Sequence, residues 1–121
     1  MPFSQYAMAV ALLAALASCR ERPSTAQPLL PHDAMSLWRD ADPAQKQATA
    51  EAMIRQLRDD GFFGPRTLAA MDGPQDVAKM ADELSAALDA AVDRDRKTYV
   101  SPSQSMYDTA RRAGVERGWD K

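Results

Sequence analysis

The sequence predicts an all-α fold, a small helical bundle with three main helices and additional short ones. Large apolar residues recur three and four positions apart over much of the chain after residue 42, which is the spacing of amphipathic helices. No run alternates between apolar and polar residues, and Ile54 is the only isoleucine in the chain. The sequence therefore predicts no sheet.

The first main helix is predicted over residues 43–59. Asp42 has the side chain of an N-cap, Pro43 follows at the first helical position, and Gln45 completes a capping box. Gly61 is placed to end this helix in a left-handed conformation. The predicted inward-facing residues are Ala50, Met53, Ile54 and Leu57.

The longest helix is predicted over residues 74–98, with Asp72 or Gly73 before Pro74 at its start. Its apolar side is a continuous seam that contains Val77, Met80, Ala81, Leu84, Ala87, Leu88, Ala91 and Val92. Small residues in this seam let a neighbouring helix approach closely. The opposite side carries charged residues such as Asp89 and is expected to face solvent.

The third main helix is predicted over residues 102–113. Ser101 is the expected N-cap, Pro102 the first helical residue, and Gln104 completes a second capping box. Gly114 is expected to end the helix.

Two short helices are predicted, at residues 34–40 after the capping residue Asp33 and at residues 66–71.

The loop before the helix predicted at residues 66–71 contains Phe62 and Phe63. Exposed, this pair would form a partner-binding patch. Buried, it would close one end of the bundle, which is the interpretation we favour for a domain with few large side chains.

The N-terminal segment predicts export. Residues 6–16 are uncharged and apolar, and they are too few for the roughly 20 residues that span a bilayer, so residues 1–18 are predicted to be a signal peptide. Leu16-Ala17-Ser18-Cys19 resembles the lipobox of bacterial lipoproteins. The resemblance implies cleavage between Ser18 and Cys19 by signal peptidase II, with a diacylglycerol on the Cys19 thiol. The alternative is an Ala-rich amphiphilic helix in which Cys19 is incidental.

Three regions follow from this assignment: the signal peptide at 1–18, lipidated Cys19 with a disordered Pro-rich tether at 19–32, and a helical domain at 33–121. Prolines in the tether favour extended chain. The resemblance also implies a membrane anchor facing the periplasm. Because Arg20 and not Asp follows Cys19, the resemblance favours the outer membrane over the inner one.

Composition excludes several classes of function. The chain has 15 basic and 17 acidic residues, interspersed, so no basic face for nucleic acid is visible. His32 is the only histidine and Cys19 the only cysteine, which excludes catalytic triads and multi-histidine metal sites. Adjacent carboxylates, Asp59 with Asp60 and Asp82 with Glu83, diverge on a helix. We therefore predict no catalytic residue, no metal site and no cofactor.

Two functions remain, with an enzyme a distant third. The first is a lipid-anchored, non-catalytic protein-binding module of the cell envelope, acting in immunity, exclusion or envelope assembly through an unknown envelope protein or a second copy of itself. The second is structural. Lys121 is the last residue of the sequence, and Braun-type lipoproteins, which this chain resembles in that respect, are joined to peptidoglycan through a C-terminal lysine.

Overall fold

The computed structural model describes residues 26–121. The predictions for the signal peptide, the Leu16–Cys19 lipobox and the lipidation of Cys19 lie outside this part. The described residues are helical and contain no strand, which confirms the all-α prediction. The helices are α1 (Met35–Asp40), α2 (Pro43–Asp59), α3 (Pro65–Ala70), α4 (Pro74–Ala91) and α5 (Met106–Glu116).

Helix α4 is the centre of the bundle, because it packs against both α2 and α5. Most of its apolar seam is buried as predicted, with Leu84 and Leu88 fully inaccessible to solvent, whereas Met80, Ala87 and Val92 are only partly buried. The other fully buried large apolar side chains are Trp38, Met35, Met53, Ile54, Leu57 and Met106. The methionines in this set fill the space between helices, a role that suits their flexible side chains.

Helix α2 has the predicted start and end. The Asp42 carboxylate accepts a 2.7 Å hydrogen bond from the Gln45 backbone N–H, and Pro43 occupies the first turn. The reciprocal half of the capping box is replaced, since the Gln45 side-chain amide donates instead to the Gln27 carbonyl at 3.3 Å. After α2, Gly61 has a φ of 73°, as a left-handed cap requires.

Two helices end in the same motif. The N–H of Phe62 bonds the carbonyl five residues earlier at 3.0 Å, and the N–H of Trp119 bonds the Gly114 carbonyl at 2.9 Å. Each aromatic residue follows a glycine of positive φ, Gly61 or Gly118, so both ends are Schellman motifs.

The prediction that Gly114 ends the third helix is wrong, because Gly114 lies inside α5.

The predicted start of the third helix is also wrong. Helix α5 begins at Met106, and residues 101–105 run alongside the segment that precedes α1. Backbone N–H groups of Met35 and Met106 bond the carbonyls of Gln104 and Asp33, both at 2.8 Å. This pairing holds residues 101–105 out of a helix despite their Ser-Pro sequence.

The capping residues of α5 and α1 also differ from the prediction. The Ser105 hydroxyl accepts the Asp108 N–H at 3.1 Å and caps α5. Asp33 does not cap α1, because its carboxylate accepts the Leu30 N–H at 2.9 Å. Ala34 occupies the N-cap of α1 without a side-chain hydrogen bond.

Helix α4 is shorter than predicted. It ends at Ala91, whose carbonyl accepts the Val100 N–H at 2.8 Å, and the charged residues between them form turns. Within these turns the Asp93 carboxylate accepts the Asp95 N–H at 3.0 Å. Aspartate side chains that bond a backbone N–H two residues on stabilise turns in competition with helix.

The residues just before 33 are part of the folded domain and not of a free tether. The Leu29 N–H donates to Thr49 Oγ1 at 2.9 Å, and the Leu29 side chain packs against the core. The Pro31 carbonyl accepts the Tyr107 N–H at 2.8 Å. No helix within residues 26–121 has both the length and the apolar character that crossing a membrane requires.

Candidate functional site

The aromatic pair after α2 closes one end of the bundle. Phe63 is only 4% exposed and belongs to the core. Its ring meets those of Phe62 and Trp119 edge to face, with centroids 5.6 and 6.0 Å apart. The plug interpretation therefore agrees with the burial of Phe63, which leaves almost none of its surface for a partner.

Phe62 is half-buried and keeps part of its ring accessible. It covers Gly114, where a Cβ atom would come within 2.7 Å of the ring, and the Arg111 guanidinium lies 5.6 Å from the ring centroid. A role for Phe62 in partner contact stays a prediction.

A polar cluster surrounds Tyr107 where α5 meets the end of α2. The Tyr107 hydroxyl donates a hydrogen bond to the Asp60 carboxylate, and the His32 ring lies 5.3 Å away. Burial, followed by the hydrogen bond and charge of Asp60, raises the pKa of Tyr107 above its ordinary value, while the Arg111 charge opposes the shift. The cluster joins α5 to the end of α2 and, through the Pro31 carbonyl and the His32 ring, to the residues that precede α1.

Asp89 is not a freely solvated charge, contrary to the prediction. Its Oδ1 accepts hydrogen bonds from Trp38 Nε1 and Lys46 Nζ, both at 3.0 Å, and the Lys46 ammonium lies 5.6 Å from the Trp38 ring centroid. The arrangement gives the indole N–H of a fully buried tryptophan its partner.

The adjacent carboxylate pairs do not converge on one site. Asp60 is hydrogen-bonded to Tyr107, whereas Glu83 lies 3.9 Å from Arg117, the residue that follows α5. Across residues 26–121, no three His, Cys, Asp or Glu side chains are grouped closely enough to hold a metal ion.

The strongest candidate site is a groove between α4 and α5, which we call the α4–α5 groove. It encloses about 400 Å³ and is bounded at one end by the turn at residues 97–100. Its floor is formed by buried and half-buried alanines of both helices, namely Ala87, Ala90, Ala91 and Ala113, and exposed Ala86 also lines it. The groove exists because these methyl groups are too small to fill the space between the helices. Alanines in the α4 seam were the only signal in the sequence.

The rim of the α4–α5 groove is mainly basic. Lys97, Arg112 and Arg117 line it together with a single acid, Glu116. Arg117 also lies near Glu83, but within the described chain no carboxylate lies within 4.0 Å of Lys97 or Arg112. Hydroxyl groups of threonine and tyrosine, at Thr98, Tyr99 and Thr109, add hydrogen-bonding capacity.

Two further surface depressions differ from the α4–α5 groove in charge or in size. A shallow one of about 600 Å³ lies between α2 and the start of α4 and is lined by two basic and two acidic residues, with Arg55 paired to Glu51 at 3.9 Å. A smaller one of about 200 Å³ lies beside α1 and is lined by two basic residues, Arg39 and Arg94, and no acid; Arg39 is paired with Asp40 at 3.2 Å.

The fold and groove define a small all-α domain with a basic-rimmed surface cleft. Comparison with protein-family models, curated proteins and solved structures finds no match to this chain. A functional assignment therefore has to come from the residues themselves.

Proposed function

We propose that this chain is a lipid-anchored protein of the bacterial cell envelope, whose helical domain is a non-catalytic protein-binding module. The α4–α5 groove is the observation that supports a binding role. A concave surface with small apolar groups at its base and fixed charges at its edge offers both contact area and specificity. The lipobox resemblance at Leu16–Cys19 supports the anchor and the periplasm-facing, outer-membrane location.

The side chains of the groove favour binding over catalysis. Arginine remains protonated in proteins and is a poor general acid or base, which sets Arg112 and Arg117 aside as proton carriers. The single histidine, His32, lies beside Tyr107 and does not line the groove. What the groove offers is charge, hydroxyl groups and methyl groups, which recognise a partner without transforming it.

The short stretch of chain between the proposed anchor at Cys19 and the folded domain supports a partner close to the membrane. The folded domain includes the residues around Leu29, and the Gln27 carbonyl accepts a hydrogen bond from the Gln45 side chain, so eight residue steps along the chain separate Cys19 from Gln27. A chain of that length spans at most roughly 30 Å when fully extended. A domain held this close reaches other membrane-attached envelope proteins most readily.

The anchor is tested by metabolic labelling with a fatty acid, with and without an inhibitor of signal peptidase II. We expect label in the wild type, none in Cys19→Ser, and accumulation of a heavier precursor under the inhibitor. An unlabelled wild type of full-length mass would overturn the anchor and the envelope location together.

The binding role is tested by photocrosslinking in intact cells. A photoreactive residue at Thr98, on the groove, is compared with one at Arg66, an exposed position on α3. We expect a discrete crosslinked protein from Thr98 and none from Arg66. Equal or absent crosslinking from the two positions would argue against a module that binds through this groove.

A structural role through Lys121 is the second candidate. The Gly64 N–H bonds the Trp119 carbonyl at 3.0 Å, and a Cβ at Gly64 would come within 2.3 Å of the Lys121 carbonyl carbon. This close packing holds the backbone of Lys121 on the domain while its side chain is exposed. Release of the protein from purified cell wall only after muramidase digestion would favour this role.

A further inference from the structure

We propose that the α4–α5 groove binds an acidic peptide segment of a partner protein, with carboxylates of the segment paired to Lys97 and Arg112. The inference rests on the proposed binding function and adds the chemistry of the partner. Three observations support it: the rim of the groove is mainly basic, Lys97 and Arg112 have no ion-pair partner among the described residues, and the floor consists of small alanine side chains.

The charge of the groove is opposite to that of the whole chain. The sequence carries a formal net charge of −2, yet the groove is lined by three basic side chains and one acidic one. Arg117 is partly compensated by Glu83 at 3.9 Å. Lys97 and Arg112, by contrast, have no carboxylate within ion-pairing distance in the region from residue 26 onward.

These two cations are ready to receive carboxylates. The planar guanidinium of Arg112 can donate two parallel hydrogen bonds to one carboxylate, and the Lys97 ammonium can donate to a second. Neither side chain has to break an internal ion pair first. Charge complementarity of this kind speeds the encounter of partners and excludes basic competitors.

The alanine floor of the groove favours a peptide whose backbone can approach closely. Ala87 and Ala90 on α4 and Ala113 on α5 present only methyl groups. Small residues allow backbones to approach closely, as they do between packed helices. A peptide with small or apolar residues toward this floor and carboxylates toward the rim satisfies both parts of the groove.

A peptide fits these features better than a lipid surface does. Anionic bilayers attract basic residues that protrude together with apolar groups. Here the cations border a recess, and acidic Glu116 lies among them. A planar, uniformly negative surface would meet Glu116 and leave the alanine floor uncovered.

The test is fluorescence anisotropy with the purified full-length protein in an uncharged detergent. The probe is a labelled short peptide of alternating Glu and Ala, and its control replaces every Glu by Gln. We expect binding of the Glu peptide only, weakened by added salt. The double variant Lys97→Gln with Arg112→Gln should weaken binding at least roughly tenfold, whereas Arg66→Gln, a matched exposed cation on α3, should leave it unchanged.

Each other outcome overturns the proposal. Equal binding of the Gln peptide, an unaffected double variant, or no binding of the Glu peptide would exclude carboxylate recognition by this groove. If vesicles containing phosphatidylglycerol bind the wild type but not the double variant, and the peptide does not bind, the surface recognises lipid. A dimer by light scattering that the double variant dissociates would mean that a second copy occupies the groove.

The two proposals fail separately. Crosslinking of a partner from Thr98 without binding of the acidic peptide would keep the binding module and remove the acidic segment. Binding of the peptide by a protein that carries no lipid would keep the groove's chemistry and remove the anchor.

Discussion

The indole Nε1 of Trp38 lies 3.0 Å from Oδ1 of Asp89, and this hydrogen bond joins the short helix α1 to the centre of the bundle. Trp38 is fully buried, whereas the Asp89 side chain is 54% exposed. Lys46 on α2 donates to the same carboxylate oxygen at 3.0 Å. Three helices therefore meet at one carboxylate.

Replacing Asp89 by Ala should lower the free energy of unfolding by about 1 to 2 kcal/mol, because the buried indole N–H loses its partner. Asp89→Asn retains an acceptor oxygen and should cost less. Urea denaturation followed by circular dichroism measures both. The control is Asp82→Ala, an exposed acid on the same helix, which should change stability by less than about 0.5 kcal/mol. Equal midpoints for Asp89→Ala and Asp82→Ala would mean that the Trp38 bond contributes nothing.

The sequence predicts well those features that depend on neighbouring residues. The start of α2 at Pro43 follows from the Asp42 cap, and its end follows from Gly61, because both depend on local backbone conformation. The burial of the α4 seam follows from its apolar spacing. Long, strongly periodic helices are thus readable from the sequence alone.

Features that depend on distant contacts were beyond such reasoning. Ser101 and Pro102 carry a good helix-start signal, but the carbonyls of Pro102 and Gln104 accept hydrogen bonds from Ser36 and Met35. Partners 66 and 69 residues away in the chain outweigh the local preference. Likewise, nothing near Asp89 in the sequence indicates that the Trp38 indole reaches it.

The candidate site was hidden for a related reason. Alanines in the α4 seam, such as Ala87 and Ala91, predict close helix packing. Whether that packing is complete depends on the side chains of α5, and Ala113 is too small to fill the space. The basic rim contains both Lys97 and Arg112, which belong to different predicted helices. Its charge can therefore be recognised only in the folded structure.

Leu84→Ala should reduce the free energy of unfolding by about 2 to 5 kcal/mol. Leu84 is fully buried in the α4 seam, so truncation removes apolar contacts and leaves a cavity. The matched control is Leu68→Ala on α3, where the leucine is 45% exposed and the change should be small. Thermal and urea unfolding monitored by circular dichroism compare the two variants. Similar losses of stability in both would contradict the placement of Leu84 at the centre of the core.

Stability should fall in the alkaline range partly because Tyr107 must ionise. Burial, and next the hydrogen bond to Asp60, raises the pKa of Tyr107 in the folded protein above the ordinary value of 10.0. Because the pKa is higher in the folded protein, protonated Tyr107 contributes stability that is fully present below about pH 10. This stability is lost as the pH rises through the pKa of the folded state. Tyr107→Phe should therefore be less stable at neutral pH, through loss of the Asp60 bond, and should lose less stability at alkaline pH.

Urea denaturation over a pH series measures this difference, and absorbance of tyrosinate follows the ionisation directly. Asp60→Asn is the informative partner variant, because it removes the nearby negative charge while Tyr107 stays buried. The pKa of Tyr107 should then move back toward its ordinary value. Parallel alkaline stability curves for wild type and Tyr107→Phe would show that Tyr107 makes no such contribution.

The final prediction concerns Gly114 within α5. Alanine is favoured over glycine in a helix by about 1 kcal/mol, so Gly114→Ala would stabilise an isolated helix. In the folded protein, however, the new Cβ would lie 2.7 Å from the Phe62 ring and 3.1 Å from Trp119. Overpacking of this kind costs about 1 to 3 kcal/mol, so we expect a net loss of stability. Phe62→Ala removes the nearer obstacle, and adding Gly114→Ala to it should be neutral or stabilising. A double-mutant cycle in urea should therefore give a coupling of roughly 1 to 2 kcal/mol between the two positions. Additive effects would show that Phe62 does not rest on Gly114.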